Sequence, residues 1–80
     1  MTIHGQGYCR DGFYAGWDGK GTASQEECNA LCLSEPQCKY AAWWSHQTCS
    51  RYQDSNCILN GDVNHFTYAK TNGGTLVILE

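Results

Sequence analysis

Six cysteines in a chain of 80 residues constrain this sequence more than any other feature. A chain this short buries only a small core, and cysteine-rich domains of this size ordinarily depend on disulfides. Zinc is the alternative use of six cysteines, but structural zinc sites usually contain C-x2-C pairs and the sequence has none. The pattern therefore predicts one disulfide-stapled domain over residues 1–80, without a metal or cofactor.

The same cysteines indicate an oxidising compartment, although the first residues do not resemble a signal peptide, because they lack a charged start and an apolar segment. We therefore expect a domain excised from a larger secreted or cell-surface protein. Its core is expected over about residues 8–70, with residues 1–5 and 79–80 added for expression. The alternative is a cytosolic protein with reduced or metal-bound cysteines.

Charge and hydropathy exclude further classes of protein. Five cations against eight anions give a net charge of −3, which argues against nucleic acid or an anionic membrane as the main partner. No apolar run is long enough to cross a bilayer, so membrane insertion is not expected. With 41% hydrophobic and 16% charged residues, the chain has the composition of a folded domain rather than a disordered tail.

One segment, residues 24–34, has the pattern of an amphipathic helix. Ser24 is a favourable N-cap, and Glu27 three residues later completes a capping box. Cys28 and Cys32 are four residues apart and therefore lie on one face of the helix. Pro36 prevents the helix from continuing. A helix of three turns is not stable alone in water, so its two cysteines must anchor it to another element.

Strands are predicted on both sides of this helix. Residues 5–21 combine glycines and aromatics in the manner of one or two short strands, and further strands are predicted over 38–45, 48–53 and 65–70. Asn72-Gly73-Gly74 is a hairpin signal, so Thr75–Leu79 is expected to pair back on residues 65–70. The fold class is therefore α+β, with a single α-helix packed on an antiparallel β-sheet.

Spacing alone leaves fifteen ways to pair six cysteines, but helix geometry favours one set. A bridge between Cys28 and Cys32 would distort the helix and staple almost nothing, so each is expected to reach the sheet. Cys32 is near Cys38, which begins the next predicted strand, and Cys28 one turn earlier can reach Cys49. The predicted disulfides are therefore Cys28–Cys49, Cys32–Cys38 and, from the remaining pair, Cys9–Cys57.

Together, the cysteine spacing Cys28-x3-Cys32-x5-Cys38, the following YAAWW and CSRY segments and the closing HFTYAK segment resemble the PAN/apple domain family. The resemblance covers about residues 8–70. In that family two nested bridges tie the helix to the central sheet, and carried over these are Cys28–Cys49 and Cys32–Cys38. Apple domains usually join an early cysteine to one at the very end. No cysteine follows Cys57 here, so Cys9–Cys57 would replace that clasp.

The resemblance implies a non-catalytic module that mediates adhesion through carbohydrate or extracellular protein ligands, typically as tandem copies. Two functions are kept open: a carbohydrate-binding module, and a protein-interaction or assembly module without glycan binding. A disulfide-rich toxin or inhibitor is a weaker alternative, since no protruding reactive loop stands out. The acidic balance disfavours heparin-type binding.

Catalysis and calcium binding are not expected. The sequence has no nucleophile elbow, phosphate loop or HExxH motif, and pairing of all six cysteines leaves no thiol nucleophile. Aspartates are scattered and no DxDxDG loop is present.

The ten aromatic residues supply the candidate ligand-binding surface. Alternation along residues 38–45 predicts Cys38, Tyr40, Ala42 and Trp44 beneath the helix, and Trp43 on the opposite face beside Lys39. Tyr52 is expected to face away from Cys49 and to join Trp43 in an exposed patch; the alternative is that the N-terminal segment or the last strand covers this face. Flat aromatic surface with a polar donor suits a sugar ring or a protein hot spot. The predicted binding residues are Trp43, Tyr52, Lys39, Trp17 and Arg51.

Overall fold

A five-stranded antiparallel sheet carries one helix across one of its faces in the computed structural model, which describes residues 1–70. The elements are β1 (Thr2–Gln6), β2 (Phe13–Ala15), α1 (Gln25–Ser34), β3 (Tyr40–Trp44), β4 (Thr48–Tyr52) and β5 (Phe66–Ala69). The strand order is β1-β5-β3-β4-β2, which places β3 at the centre. One helix on an antiparallel sheet is thus confirmed. The predicted hairpin at Asn72–Gly74 and its strand lie outside the described residues.

Helix α1 begins and ends where its capping signals place it. The Ser24 hydroxyl accepts a hydrogen bond from the Glu27 backbone N–H at 3.0 Å. The Glu27 carboxylate in turn accepts from the Ala23 N–H at 2.9 Å, one residue before the cap. Cys28 and Cys32 are completely buried, and the chain leaves the helix at Glu35 in an extended conformation before Pro36. The helix therefore buries its cysteine face against the sheet.

All three predicted disulfides are present, and the part of the chain that the structure describes contains no free cysteine. Cys28–Cys49 links α1 to β4, and Cys32–Cys38 links α1 to the approach to β3. Cys9–Cys57 joins two segments that lie outside the named strands. The helix packs on the sheet around buried cysteines and Ala41, so much of the small core is sulfur.

The two faces of β3 are the reverse of the prediction. Trp43 lies directly opposite Cys49 on β4, so it shares the face of the Cys28–Cys49 bridge and packs against α1. Tyr40 pairs with Tyr52 and lies on the face away from the helix, as does Trp44. The error arises because Cys38 precedes the strand, which begins at Tyr40, so its direction does not follow the strand alternation.

Strand β1 is absent from the sequence prediction, since Thr2–Gln6 contains His, Gly and Gln rather than a run of β-branched or aromatic residues. It pairs with β5, with a register irregularity between Ile3 and Gly5. Strand β5 is consequently an interior strand between β1 and β3. The chain then leaves β1 and crosses toward the sheet face that α1 does not cover.

Candidate functional site

A groove of about 480 Å³ lies on the sheet face opposite α1. Its lining comes from β2, β3, β4 and three connecting segments, and comprises Tyr8, Cys9, Arg10, Phe13, Trp17, Trp44, Thr48, Ser50, Tyr52, Asp62, Asn64 and His65. The volume is in the range of small-ligand sites. Half of the lining residues are aromatic (His65 included), and most of the others are polar.

Strand register determines which side chains form the floor of the groove. Ser50 pairs with Ala42 and Tyr52 pairs with Tyr40, so all four lie on the face away from α1. Tyr52 is buried, with the ring of Phe13 packed edge-on at a centroid distance of 5.9 Å. Burial raises the pKa of the Tyr52 hydroxyl. The floor is thus a preformed surface of rings and hydroxyls.

One wall of the groove is a two-stranded ribbon formed by residues 7–10 and 58–61. The Asn60 N–H donates to the Tyr8 carbonyl at 3.1 Å, and the Arg10 N–H donates to the Ile58 carbonyl at 2.9 Å. The Thr67 hydroxyl of β5 donates to the Gly7 carbonyl at 2.6 Å and holds the ribbon on the sheet. Cys9–Cys57 staples the same ribbon, so the third disulfide is part of the groove wall.

Aromatic rings continue along this wall. The Tyr8 ring meets His65 edge-on at a centroid distance of 4.9 Å, and His65 lies 5.9 Å from Trp44. The Trp44 ring also meets the ring of His46, at a centroid distance of 4.2 Å. These rings already have aromatic neighbours and therefore form a packed wall.

Polar groups enter the groove from the turn at residues 60–64. The Asn60 side-chain carbonyl accepts hydrogen bonds from the N–H groups of Tyr8 and Asp62, each at 3.0 Å. The Asp62 carboxylate accepts from the Asn64 N–H at 2.8 Å, and its other oxygen lies 3.4 Å from His65 Nδ1. These local bonds hold the Asp62 carboxylate in place in the groove lining.

Trp17 differs from the other rings because 78% of its surface is exposed. Its loop is nevertheless fixed on both sides. Gly16 is buried, and a Cβ added there would lie 2.7 Å from the Phe13 ring and 3.2 Å from the Ser50 Cα. Asp18 on the other side is held by the Arg51 guanidinium, with nitrogen–oxygen distances of 2.7 and 3.2 Å. An exposed indole is thus presented on an anchored loop.

Arg51 is the anchor of this loop. Its side chain is 2% exposed, and the guanidinium also donates to both carboxylate oxygens of Glu35, at 3.0 and 3.3 Å, and to the Cys49 carbonyl at 3.1 Å. Burial alone would lower the pKa of Arg51, but the hydrogen bonds to Asp18 and Glu35 outweigh it and raise the pKa. The cation therefore ties β4 to the Trp17 loop and to the end of α1.

The partners of Arg51 have shifted pKa values in consequence. Hydrogen bonds from Arg51 lower the pKa of Asp18 to about 2. Burial alone would raise the pKa of Glu35, but hydrogen bonds from Tyr14 and Arg51 outweigh it and keep the pKa below the ordinary value. Burial and the hydrogen bond from its hydroxyl to Glu35 raise the pKa of Tyr14 to about 12. The network is thus built for a charged Arg51 between two ionised carboxylates.

The family model of the PAN domain matches residues 6–79. The chain belongs to the PAN domain family. PAN domains are generally non-catalytic modules for interaction with extracellular proteins or carbohydrates, and the three disulfides here fit an extracellular setting. No curated protein and no solved structure matches the chain significantly. Within residues 1–70, no helix has the length and apolar character needed to cross a membrane.

The residues predicted for ligand binding are divided between the two faces of this PAN domain. Trp17 and Tyr52 line the groove. Trp43 lies on the helix face, where its indole N–H donates to the Thr22 carbonyl at 2.7 Å. Lys39 is exposed ahead of β3, and Arg51 is buried in its ion pairs. The predicted patch of Trp43, Tyr52 and Lys39 therefore does not form, because Trp43 and Tyr52 point to opposite faces of the sheet.

Several groove residues are missing from the sequence prediction. Trp44 is predicted to lie in the core because the predicted strand faces are reversed, and the correct alternation places it on the same sheet face as Tyr52. Asp62 belongs to the run of turn-forming residues Asn60-Gly61-Asp62, and Asn64 follows two residues later, which together give a local signal for a loop. Nothing local places that loop against Tyr8, because the link between them is the Cys9–Cys57 staple.

Proposed function

We propose that this PAN domain is a non-catalytic carbohydrate-binding module of a secreted or cell-surface protein, and that the groove on the sheet face opposite α1 receives the glycan. The observation that carries the proposal is the exposed Trp17 on an anchored loop at the edge of a groove lined by polar groups. Sugar rings have an apolar face and a rim of hydroxyls, and such a surface matches both.

The indole of Trp17 is the platform for stacking. The other groove rings named above pack against one another, whereas Trp17 is the most exposed of the large hydrophobic side chains in the described part of the chain. A ligand that covers this indole removes apolar surface from water, which favours binding. Because Gly16 and the Asp18–Arg51 pair already fix the loop, binding has a small cost in conformational entropy.

The groove supports glycan binding better than the protein-interaction alternative. The centre of a protein interface is usually apolar and depleted of carboxylates, and its polar groups lie in the rim. Here the rings surround a depression with hydroxyl, amide and carboxylate groups from Thr48, Ser50, Asn64 and Asp62. Adhesion by a longer protein carrying tandem copies of this domain would follow if each copy binds weakly, since linked sites increase avidity.

A glycan array followed by titration calorimetry tests the proposal. We expect the domain to bind a defined glycan, and Trp17→Ala to weaken that binding by about tenfold or more, the loss of a ring contact worth roughly 1.4 kcal/mol. Leu33→Ala is the matched control, because Leu33 is also exposed but lies on the helix. The Leu33→Ala variant should bind the glycan with the affinity of the unsubstituted domain.

Two results would contradict carbohydrate binding in the groove. One is an array without any specific glycan, together with capture of a protein or concentration-dependent self-association of the domain. The other is a glycan whose affinity is unchanged in a folded Trp17→Ala variant. Circular dichroism of both variants separates loss of binding from loss of folding.

A further inference from the structure

The charges at the groove point to the class of glycan. Among the described residues that line it, Arg10 is the one permanent cation and Asp62 the one carboxylate. The remaining polar lining consists of hydroxyls, the Asn64 amide and His65. A groove built this way has no excess of positive charge to offset the desolvation of a sulfate or carboxylate on a ligand.

The two charged side chains are not equally prepared for a ligand. Arg10 is exposed, and within residues 1–70 its guanidinium has no hydrogen-bond or ion-pair partner. A long side chain of this kind loses rotamer freedom when it binds. The Asp62 carboxylate accepts a hydrogen bond from the Asn64 N–H at 2.8 Å, and the Asp62 N–H donates to the Asn60 side-chain carbonyl at 3.0 Å. The preorganised charge at the groove is therefore the negative one.

A fixed carboxylate selects hydroxyl groups over anions. Its oxygens accept hydrogen bonds from neighbouring hydroxyls of a sugar, whereas a carboxylate or sulfate on the ligand would be repelled. Asp62 Oδ1 uses one lone pair on the Asn64 N–H and retains further acceptor capacity. The net charge of −3 on the chain adds to the repulsion of anionic ligands at long range.

We propose that the groove selects neutral glycans, an inference that rests on the proposed carbohydrate-binding function. A sugar ring stacks on Trp17 and donates hydroxyl hydrogen bonds to the Asp62 carboxylate, which excludes sialylated and sulfated glycans. Asp62 is thus the specificity-determining residue, and Arg10 contributes little to affinity.

The test compares neutral, sialylated and sulfated glycans on one array, each measured at ~50 mM and ~300 mM NaCl, which shortens the screening length more than twofold. Binding is expected to neutral glycans, with affinity changing by less than about twofold between the two salts. Asp62→Asn keeps the acceptor for the Asn64 N–H and is expected to lower affinity by about tenfold. Asp54→Asn, at an exposed carboxylate that does not line the groove, is the matched control.

The outcomes separate this inference from the function on which it rests. Binding of sialylated or sulfated glycans that weakens steeply with salt and is lost in Arg10→Gln would overturn neutral selectivity but would keep carbohydrate binding. A neutral ligand bound equally well by folded Asp62→Asn would overturn the role of Asp62. No glycan binding at all would overturn both proposals.

Discussion

At the scale of single residues, Arg51 shows how a small domain fixes an exposed loop. Its guanidinium forms two forked contacts, one with Asp18 and one with Glu35, while being almost fully buried. Two carboxylates compensate for the desolvation of one cation, and the planar fork satisfies four acceptor oxygens together. An ammonium group has the same charge but lacks this geometry. Arg51 therefore positions the Trp17 loop through its hydrogen bonds to Asp18.

The Arg51→Lys substitution tests this at the residue scale. We expect it to lower the free energy of unfolding by about 2–3 kcal/mol, because forked hydrogen bonds are lost while the buried charge remains. Urea denaturation measures the change. Arg10→Lys is the control, since Arg10 is exposed, and it should alter stability by at most ~0.5 kcal/mol. Equal stability of the two variants would show that the fork geometry is unimportant.

At the scale of elements, the three disulfides divide into two groups with different tasks. Cys28–Cys49 and Cys32–Cys38 bind α1 to the sheet, and all four of these cysteines are completely buried. Cys9–Cys57 instead staples the ribbon of residues 7–10 and 58–61, which forms a wall of the groove. The scaffold and the binding surface thus depend on different bridges.

Removing Cys9–Cys57 by a Cys9→Ala/Cys57→Ala double substitution should therefore loosen the groove more than the sheet. The chain-entropy model gives this bridge about 4 kcal/mol, for the 48-residue separation it closes. We expect amide hydrogen exchange of Arg10 and Asn60 to accelerate more than that of β3 and β4, because the ribbon opens locally in addition to the loss of global stability. Cys32→Ala/Cys38→Ala, which opens a separation of only 6 residues, is the comparison. Uniform acceleration across the sheet in the first variant would contradict this division.

Local sequence signals predict the elements much better than they predict the groove. The capping residues Ser24 and Glu27 and the cysteine pair on α1 determine the helix, and the helix face in turn selects the disulfides. The predicted faces of β3 are wrong because the alternation is counted from Cys38, which lies before the strand. An offset of one residue moves every side chain of a strand to the other face. The groove wall depends on contacts between residues about 50 positions apart, and no local pattern contains them.

At the scale of the whole molecule, the shifted pKa values in the Arg51 network connect stability to pH. Asp18 and Glu35 have lower pKa values in the folded domain than their ordinary values of 3.8 and 4.5. The unfolded chain therefore takes up protons first as the pH falls, and their contribution is present above about pH 4.5 and is lost towards pH 2. Tyr14 has the opposite sign, since its pKa is raised to about 12, so its contribution is lost as the pH rises from 10 to 12.

The stability of this PAN domain should accordingly form a plateau over the neutral range and fall at both extremes. Asp18 is about one-third exposed, so screening reduces its part of the acid loss to about 1 kcal/mol. Thermal melting from pH 2 to pH 7 measures the loss of stability in acid. Asp18→Asn should be less stable than the unsubstituted domain at pH 7, and the difference should shrink towards pH 2, where protonated Asp18 no longer pairs with Arg51. The control variant Asp54→Asn should lose the same stability in acid as the unsubstituted domain. A constant difference in stability between Asp18→Asn and the unsubstituted domain from pH 2 to pH 7 would contradict the linkage of Asp18 to folding.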